Sequence, residues 1–308
     1  MKNPTSVSVA RRRALTGTAR ALARASALVS RIKVSKLILY TVLTILSAIF
    51  LFPFYWTVTS SVKEIAELRA IPPTWWPQSF TLDHYKAVLW RPTFPRYMLN
   101  SLIYAGGTTA VILITSSLIG FAIEKFPSKY GNILFWLIYS TMTVPFNIYV
   151  VPLFLLLIGV EKTFHIPMRN TYWGMMLPWI CYPFGIFLMR QAMKAVPNDL
   201  IDAARIDGAS TLGIYRVVIL PLVRTKLAAL MALIFLWKYD DLLWPIIVAT
   251  KVEMYPITAG LLEYTGVYWI DYNLYIAAAT IALAPVVLIY LILQRFIIQG
   301  IATTGLKG

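Results

Sequence analysis

Three charges, Lys238, Asp240 and Asp241, interrupt an otherwise uncharged window running from Leu227 to Thr250. Charged side chains inside a membrane span are costly unless they pair or meet water, so they mark working positions. Lys238 and Asp241 stand at helical i, i+3 spacing and can form a charge pair, whereas Asp240 falls on a different face. Two roles stay open for the pair: self-neutralisation within a helix bundle, or the lining of a translocation pathway. The second polar concentration is DAARIDGASTLGIYRVVILPL, Asp202 to Leu222, set between strongly apolar segments. Asn198 or Asp199 can cap a helix there, and Asp199 with Asp202 has capping-box spacing. Gly208 permits a left-handed C-cap, Ser210 can cap a second helix from Thr211 to about Leu220, and Pro221 closes it. Ala203, Ala204 and Ala209 keep the surface of the first helix shallow, and Asp202, Asp207 and Arg205 give it a charged edge.

Covalent, metal and nucleotide chemistry find no foothold. The single cysteine, Cys181, excludes an intrachain disulfide framework and a Cys-rich metal cluster. His84 and His165 lie far apart, without metal-ligand spacing, and read as polar loop residues. The chain has no G-x-x-x-x-G-K-[ST], no G-x-G-x-x-G after a strand, no H-E-x-x-H and no G-x-S-x-G. No catalytic, cofactor or metal residue is assigned, and any work against a gradient must draw its energy from another chain.

The elements that carry these residues are membrane spans. Of 308 residues, 59% are hydrophobic and 13% charged, about half the charged share of a soluble domain. Charge-free windows cover Leu37–Val62, Tyr97–Ile123, Tyr130–Val160, Asn170–Met189 and Tyr272–Gln294. Each is near or above the ~20 residues that cross a bilayer. With Leu227–Thr250 they make six spans, which puts both termini on one side. Placing the termini inside assigns 19 of the 28 Lys and Arg to inner segments and eight to outer loops, as the positive-inside bias requires. The net charge of +15 is therefore a topology signal and no argument for nucleic acid. A DNA-reading helix-turn-helix has the outline of 198–221, but flanking spans leave a duplex no room.

Residues 1–36 hold nine Lys or Arg and no acid. They read as a cytoplasmic extension, either a basic helix on the anionic inner leaflet or a basic tail without structure. The long outer loop Lys63–Arg96 is rich in Pro and Trp. Trp75, Trp76, Trp90 and Trp269 in outer loops, with Trp56, Trp173 and Trp244 near outer span ends, read as interfacial anchors; contact with a docking partner is the competing reading. Pro53, Pro145, Pro152, Pro178, Pro183, Pro245 and Pro285, with Gly106, Gly107 and Gly120, read as candidate helix breaks inside the spans.

The stretch Asp202-Ala203-Ala204, Gly208, Ile219-Leu220-Pro221 resembles the EAA loop of permease subunits of bacterial ABC importers. Asp202 stands where that family usually has Glu, and Val218 occupies the site where it often has Ile. FLMRQAMKAVPNDLIDAARIDGAS, FLWKYDDLLWPIIVAT and the tail QRFIIQGIATTGLKG are similar to segments of the carbohydrate-uptake group related to the maltose-system MalG subunit, so the likeness covers roughly Leu37 to Gly308. The resemblance implies an all-α, six-span permease of the type I importer fold, in the bacterial inner membrane with cytoplasmic termini. Residues 37–300 would form the transmembrane domain, with a coupling loop at 191–222 and a cytoplasmic tail at 301–308. It also implies partners: a second homologous permease, two ATPase subunits that use the ATP, and an extracytoplasmic sugar-binding protein. Asp202, Ala203, Ala204, Asp207, Gly208, Leu220 and Pro221 would meet the ATPase. The alternative from another class is a self-sufficient secondary transporter, which predicts an internal repeat; the chain shows none.

Overall fold

The computed structural model describes residues 35–126, 128–266 and 271–302, the last with side chains to 296. Residues 1–34, Trp269 and the tail 303–308 lie outside it, so the readings made for them are not addressed. The chain divides into two units, Met1–Ser60 and Ser61–Gly308. The first contributes one apolar helix, α1 (Ser35–Ser60), whose large side chains from Leu37 to Val58 are mostly exposed, as a lipid-facing helix requires.

The second unit is helical, with no β-strand among the described residues. Its first helices are α2 (Ile65–Leu68), α3 (Asp83–Leu89) and α4 (Thr93–Lys125), followed by α5 (Lys129–Ser140), α6 (Phe146–Phe164) and α7 (Tyr172–Met176). Then come α8 (Pro183–Lys194), α9 (Asp199–Ile206), α10 (Thr211–Gly213) and α11 (Leu220–Tyr239), and finally α12 (Leu243–Val248), α13 (Ile257–Gly260) and α14 (Tyr272–Ala302). Among the described residues, five helices are long and apolar enough to cross a membrane, and Tyr172–Trp179 with Pro183–Lys194, bent by 48°, makes a sixth if counted as one broken span.

Helix α4 is the hub, packing on α8 and α11, while α11 also packs on α14. Its residues Tyr104, Thr108, Ile112, Ser116 and Gly120 recur every fourth position and are all buried, one continuous face of a helix. Small residues let the α4 and α8 backbones approach, as membrane helices commonly do. A Cβ at Gly120 would lie 3.0 Å from the Arg190 backbone nitrogen, and one at Gly185 would collide with Ser116 Oγ.

The structure departs from the sequence-based expectations at several places. Helix α4 runs unbroken through Gly106, Gly107 and Gly120; Gly107 and Gly120 serve close packing instead of breaking the span. The window Tyr130–Val160 is two helices, α5 and α6, parted by a 3₁₀ turn at Thr141–Thr143 and by Pro145. The fifth span begins earlier than Leu227, since helical structure runs from Thr211 to Tyr239. Beyond Asp240 the chain leaves the helix, and α12 is a separate short piece. Trp244 is no interfacial anchor: it is fully buried and its Nε1 donates to the Met175 carbonyl at 3.1 Å. His84 sits on α3 instead of a loop, with its Nε2 2.8 Å from Asn273 Nδ2.

Candidate functional site

Helix α9 and the turn after it form a compact unit defined by local backbone chemistry. Gly208 has φ +79, a conformation that a β-carbon disfavours. Its N–H donates to the Arg205 carbonyl at 3.0 Å, and the Ala209 N–H donates to the Ala204 carbonyl at 2.9 Å. These are the paired bonds of a Schellman cap. Ser210 then caps the next helical stretch by accepting from the Gly213 N–H at 3.2 Å. Pro221 does not close that stretch. A π-helical turn at Ile214–Ile219 leads directly into α11, with Pro221 in its first turn. Proline has no N–H to offer the previous turn, and a widened turn ahead of it absorbs the missing bond. The loop is therefore covalently and helically continuous with the fifth span.

The capping box expected of Asp199 and Asp202 is absent. Asn198 occupies the N-cap position with helical backbone angles, φ −70 and ψ −26, and no side-chain cap bond; its Oδ1 accepts instead from Lys125 Nζ at 2.9 Å. Asp202 pairs with Arg205 at 3.1 Å, both well exposed. Ile201 is buried and Ala204 packs on the core, whereas Leu200, Ile206 (87% exposed) and Leu212 are exposed. Asp202, Ala203, Asp207, Gly208 and Pro221 are also exposed; Leu220 packs against the core. Exposed apolar residues on the polar connector between two spans form a patch suited to a partner.

The other charges meet in the interior. Lys238 Nζ lies 3.2 Å from Asp241 Oδ2, with side-chain exposures of only 7% and 14%. The same carboxylate oxygen accepts from the Tyr104 hydroxyl at 2.7 Å, and Lys238 Nζ stands 3.1 Å from the centre of the Trp179 ring. One ammonium thus meets a carboxylate and an aromatic face, which offsets much of the cost of burying it. Helix α4, the break in the fourth span and the end of α11 are joined at this point. Asp240 is exposed and stands apart from the network.

Residues 113–303 match the family described as the binding-protein-dependent transport system inner membrane component. The chain belongs to this family of ABC-importer permeases. It is 31% identical over 266 residues to the arabinooligosaccharides transport system permease protein AraQ of Bacillus subtilis (strain 168), covering 85% of this chain and 92% of AraQ. It is 32% identical over 271 residues to the sn-glycerol-3-phosphate transport system permease protein UgpE of Salmonella typhi, covering 85% and 94%. Among solved structures, a chain of a bacterial ABC transporter involved in the import of the acidic polysaccharide alginate aligns with a TM-score of 0.75 at 20% identity, covering 85% of this chain and 96% of that one. A chain from a bacterial alginate ABC transporter in complex with an alginate pentasaccharide-bound periplasmic protein aligns with a TM-score of 0.63 at 17% identity, covering 83% and 92%. These likenesses show the fold.

In the permease, therefore, Asp202, Ala203, Ala204, Asp207 and Gly208 lie on one short helix and its cap, with Leu220 and Pro221 at the root of the fifth span. Lys238 and Asp241 meet in the interior. Sequence reading missed Tyr104, Trp179, Lys125 and the Ser117–Tyr215 pair. Only the lysine carried a signal, as a charge that with Glu124 follows directly on a long apolar window.

Proposed function

We propose that this permease is half of the translocation pathway of an ATP-driven importer for a carbohydrate or a polyol phosphate. It would work with a second, homologous permease, two ATPase subunits and an extracytoplasmic binding protein. Helix α9 is the docking helix, and the observation that carries this reading is its double character. It presents Leu200, Ile206, Ala203 and Gly208 outward, yet it runs through a capped turn into α11 without a flexible linker. A push on such a helix reaches the spans. The face bearing α9 is cytoplasmic, in keeping with the distribution of Lys and Arg. Of the three fifth-span charges, the exposed Asp240 is assigned to the pathway, and the Lys238–Asp241 pair to holding the helices that surround it. Relatives named for arabinooligosaccharides and for sn-glycerol-3-phosphate support the substrate class.

Purification of the tagged chain from its host in mild detergent tests this reading. A second permease and an ATPase are expected to accompany it and to hydrolyse ATP in nanodiscs. Transport by the chain alone, with no ATPase bound, would overturn it in favour of a secondary transporter. Orientation is checked after replacing Cys181 by serine. Ser79→Cys should react with an impermeant reagent in intact cells, and Ser210→Cys only in opened ones.

A further inference from the structure

The docking loop is flanked in sequence by the fourth and fifth spans, but its firmest polar attachments go to the second. Lys125 ends α4 and is buried, 8% exposed. Its Nζ donates to the Val196 carbonyl at 2.6 Å and to Asn198 Oδ1 at 2.9 Å. These acceptors straddle Pro197, where α8 has ended and α9 has yet to begin. The neighbouring carboxylate, Glu124, is engaged instead by Arg190 at 2.9 Å. Asn198, of a type favoured at this cap position, makes no cap bond and holds this ammonium. A local rule broken in this way marks a position held for another purpose. At the loop's other end Ser117 and Tyr215 share a buried hydrogen bond of 2.6 Å, and the Tyr215 ring packs on Phe121 at 5.3 Å. Between the two, the Arg205 guanidinium lies 5.5 Å from the Phe126 ring centre.

We infer that Lys125 is a positioning residue that clamps the docking helix to the second span, so that displacement of α9 by an ATPase moves α4 together with α8 and α11. Charge-assisted bonds to a carbonyl and an amide oxygen are strong and short, and the Ser117–Tyr215 bond prevents the loop from pivoting about the clamp. Helix α4 also carries Tyr104, which binds Asp241, so the clamp lies on a continuous helical path to the buried charge network.

The inference rests on α9 being the ATPase-docking helix, and the test separates the two. ATPase bound per permease, and ATP hydrolysis per bound ATPase without binding protein, are measured on the nanodisc complex of the parent, Lys125→Met, Lys125→Arg and Asn198→Ala. Absence of ATPase from the parent complex refutes the docking reading itself. With docking intact, loss of the clamp frees the ATPase from the load of the spans. Lys125→Met should therefore keep its bound ATPase yet hydrolyse ATP faster by about tenfold or more, the lower end of the roughly 10- to 150-fold that one hydrogen bond to a charged group represents. Lys125→Arg, which still donates to both acceptors, should return toward the parent rate, and Asn198→Ala should show a smaller rise. Unchanged hydrolysis in Lys125→Met overturns the clamp. So does loss of bound ATPase in Asn198→Ala, which would mean that the contact merely folds the loop. If Lys125→Met does not accumulate, Asn198→Ala decides by the same two readings.

Discussion

The pairs Asp202–Arg205 and Lys238–Asp241 share i, i+3 spacing and nearly equal separations, 3.1 and 3.2 Å, yet sit in opposite surroundings. The first lies open on α9, with side-chain exposures of 61% and 47%; the second is sealed between helices at 7% and 14%. In the open pair, water already solvates both ions and screens their attraction, so the bond contributes little to stability. In the sealed pair each ion has lost its water, and removal of one partner strands the other. Spacing therefore does not decide what a charge pair does in this permease. The open pair leaves its carboxylate available to a partner, and the sealed pair fixes helices to one another.

The largest effect should follow from breaking the sealed pair. Lys238→Met leaves the Asp241 carboxylate with the Tyr104 hydroxyl but without its cation, and such losses cost about 3–5 kcal/mol. The amount of folded permease in the membrane and its thermal midpoint should both fall sharply. Lys238→Met with Asp241→Asn should recover much of the loss, since neither ion then remains. Damage that adds up in the double variant would assign the two residues separate roles.

Next in size is the cap that ends α9. A Cβ at Gly208 would meet no atom of this chain within 4 Å, so only backbone strain of roughly 1–2 kcal/mol opposes a side chain there. Gly208→Asn, with a residue that tolerates the left-handed conformation, should leave the permease folded, and Gly208→Val should strain it. If Gly208→Asn and Gly208→Asp nevertheless lose the ATPase on purification, a partner surface packs against this position. Normal association in both would reduce the loop to a connector.

What the residues declare in advance is whatever is local. Gly208 and Ser210 announce their caps because those bonds close within a few residues, and the spans announce themselves by long stretches without charge. Pro145 announces the break between α5 and α6 as a local helix-breaking residue, although charge alone does not divide the window there, since Thr141–Pro145 carries none. Asn198 reads as a cap by type and position, but its partner, Lys125, is 73 residues away, and tertiary contact overrode the local preference. Trp244 likewise reads as an anchor until the Met175 carbonyl, 69 residues distant, claims its indole N–H. Nothing in the i, i+3 spacing itself separates the open pair from the sealed one.

Glu67, on the short helix α2 between α1 and α3, sharpens the contrast because its main partners are neutral. Burial raises its pKa, but hydrogen bonds from the Thr74 hydroxyl, the Gln78 amide and the amide and hydroxyl of Ser79 outweigh that and bring it to about 2, from an ordinary 4.5. A carboxyl whose pKa is lowered on folding stabilises the fold above its unfolded pKa and loses that contribution as pH falls through the folded one. Pepsin cleavage between Lys63 and Ser79 in the purified permease should therefore stay slow near pH 4.5 and accelerate toward pH 2. Glu67→Gln should be cleaved readily at both, and equal protection of parent and variant would remove the role assigned to the carboxylate.

The smallest effect on stability is expected at the open pair, and it carries the functional claim. Asp202→Asn removes an exposed ion pair on a helix surface, worth about 0.3–0.5 kcal/mol, which should barely move the thermal midpoint. Asp202→Lys adds repulsion toward Arg205 of similar size and also places a cation in the first turn of α9, where the helix dipole favours an acid. Even so, both variants should reach the membrane in normal amounts, because Ile201 and Ala204, and not Asp202, seat α9 on the core. If the exposed carboxylate faces an ATPase, Asp202→Asn should weaken association modestly and Asp202→Lys should abolish it, with no matching loss of fold. A midpoint that falls as far for Asp202→Asn as for Lys238→Met would erase the difference between the two pairs. Full ATPase association in Asp202→Lys would leave the difference standing but remove the acid from the docking surface.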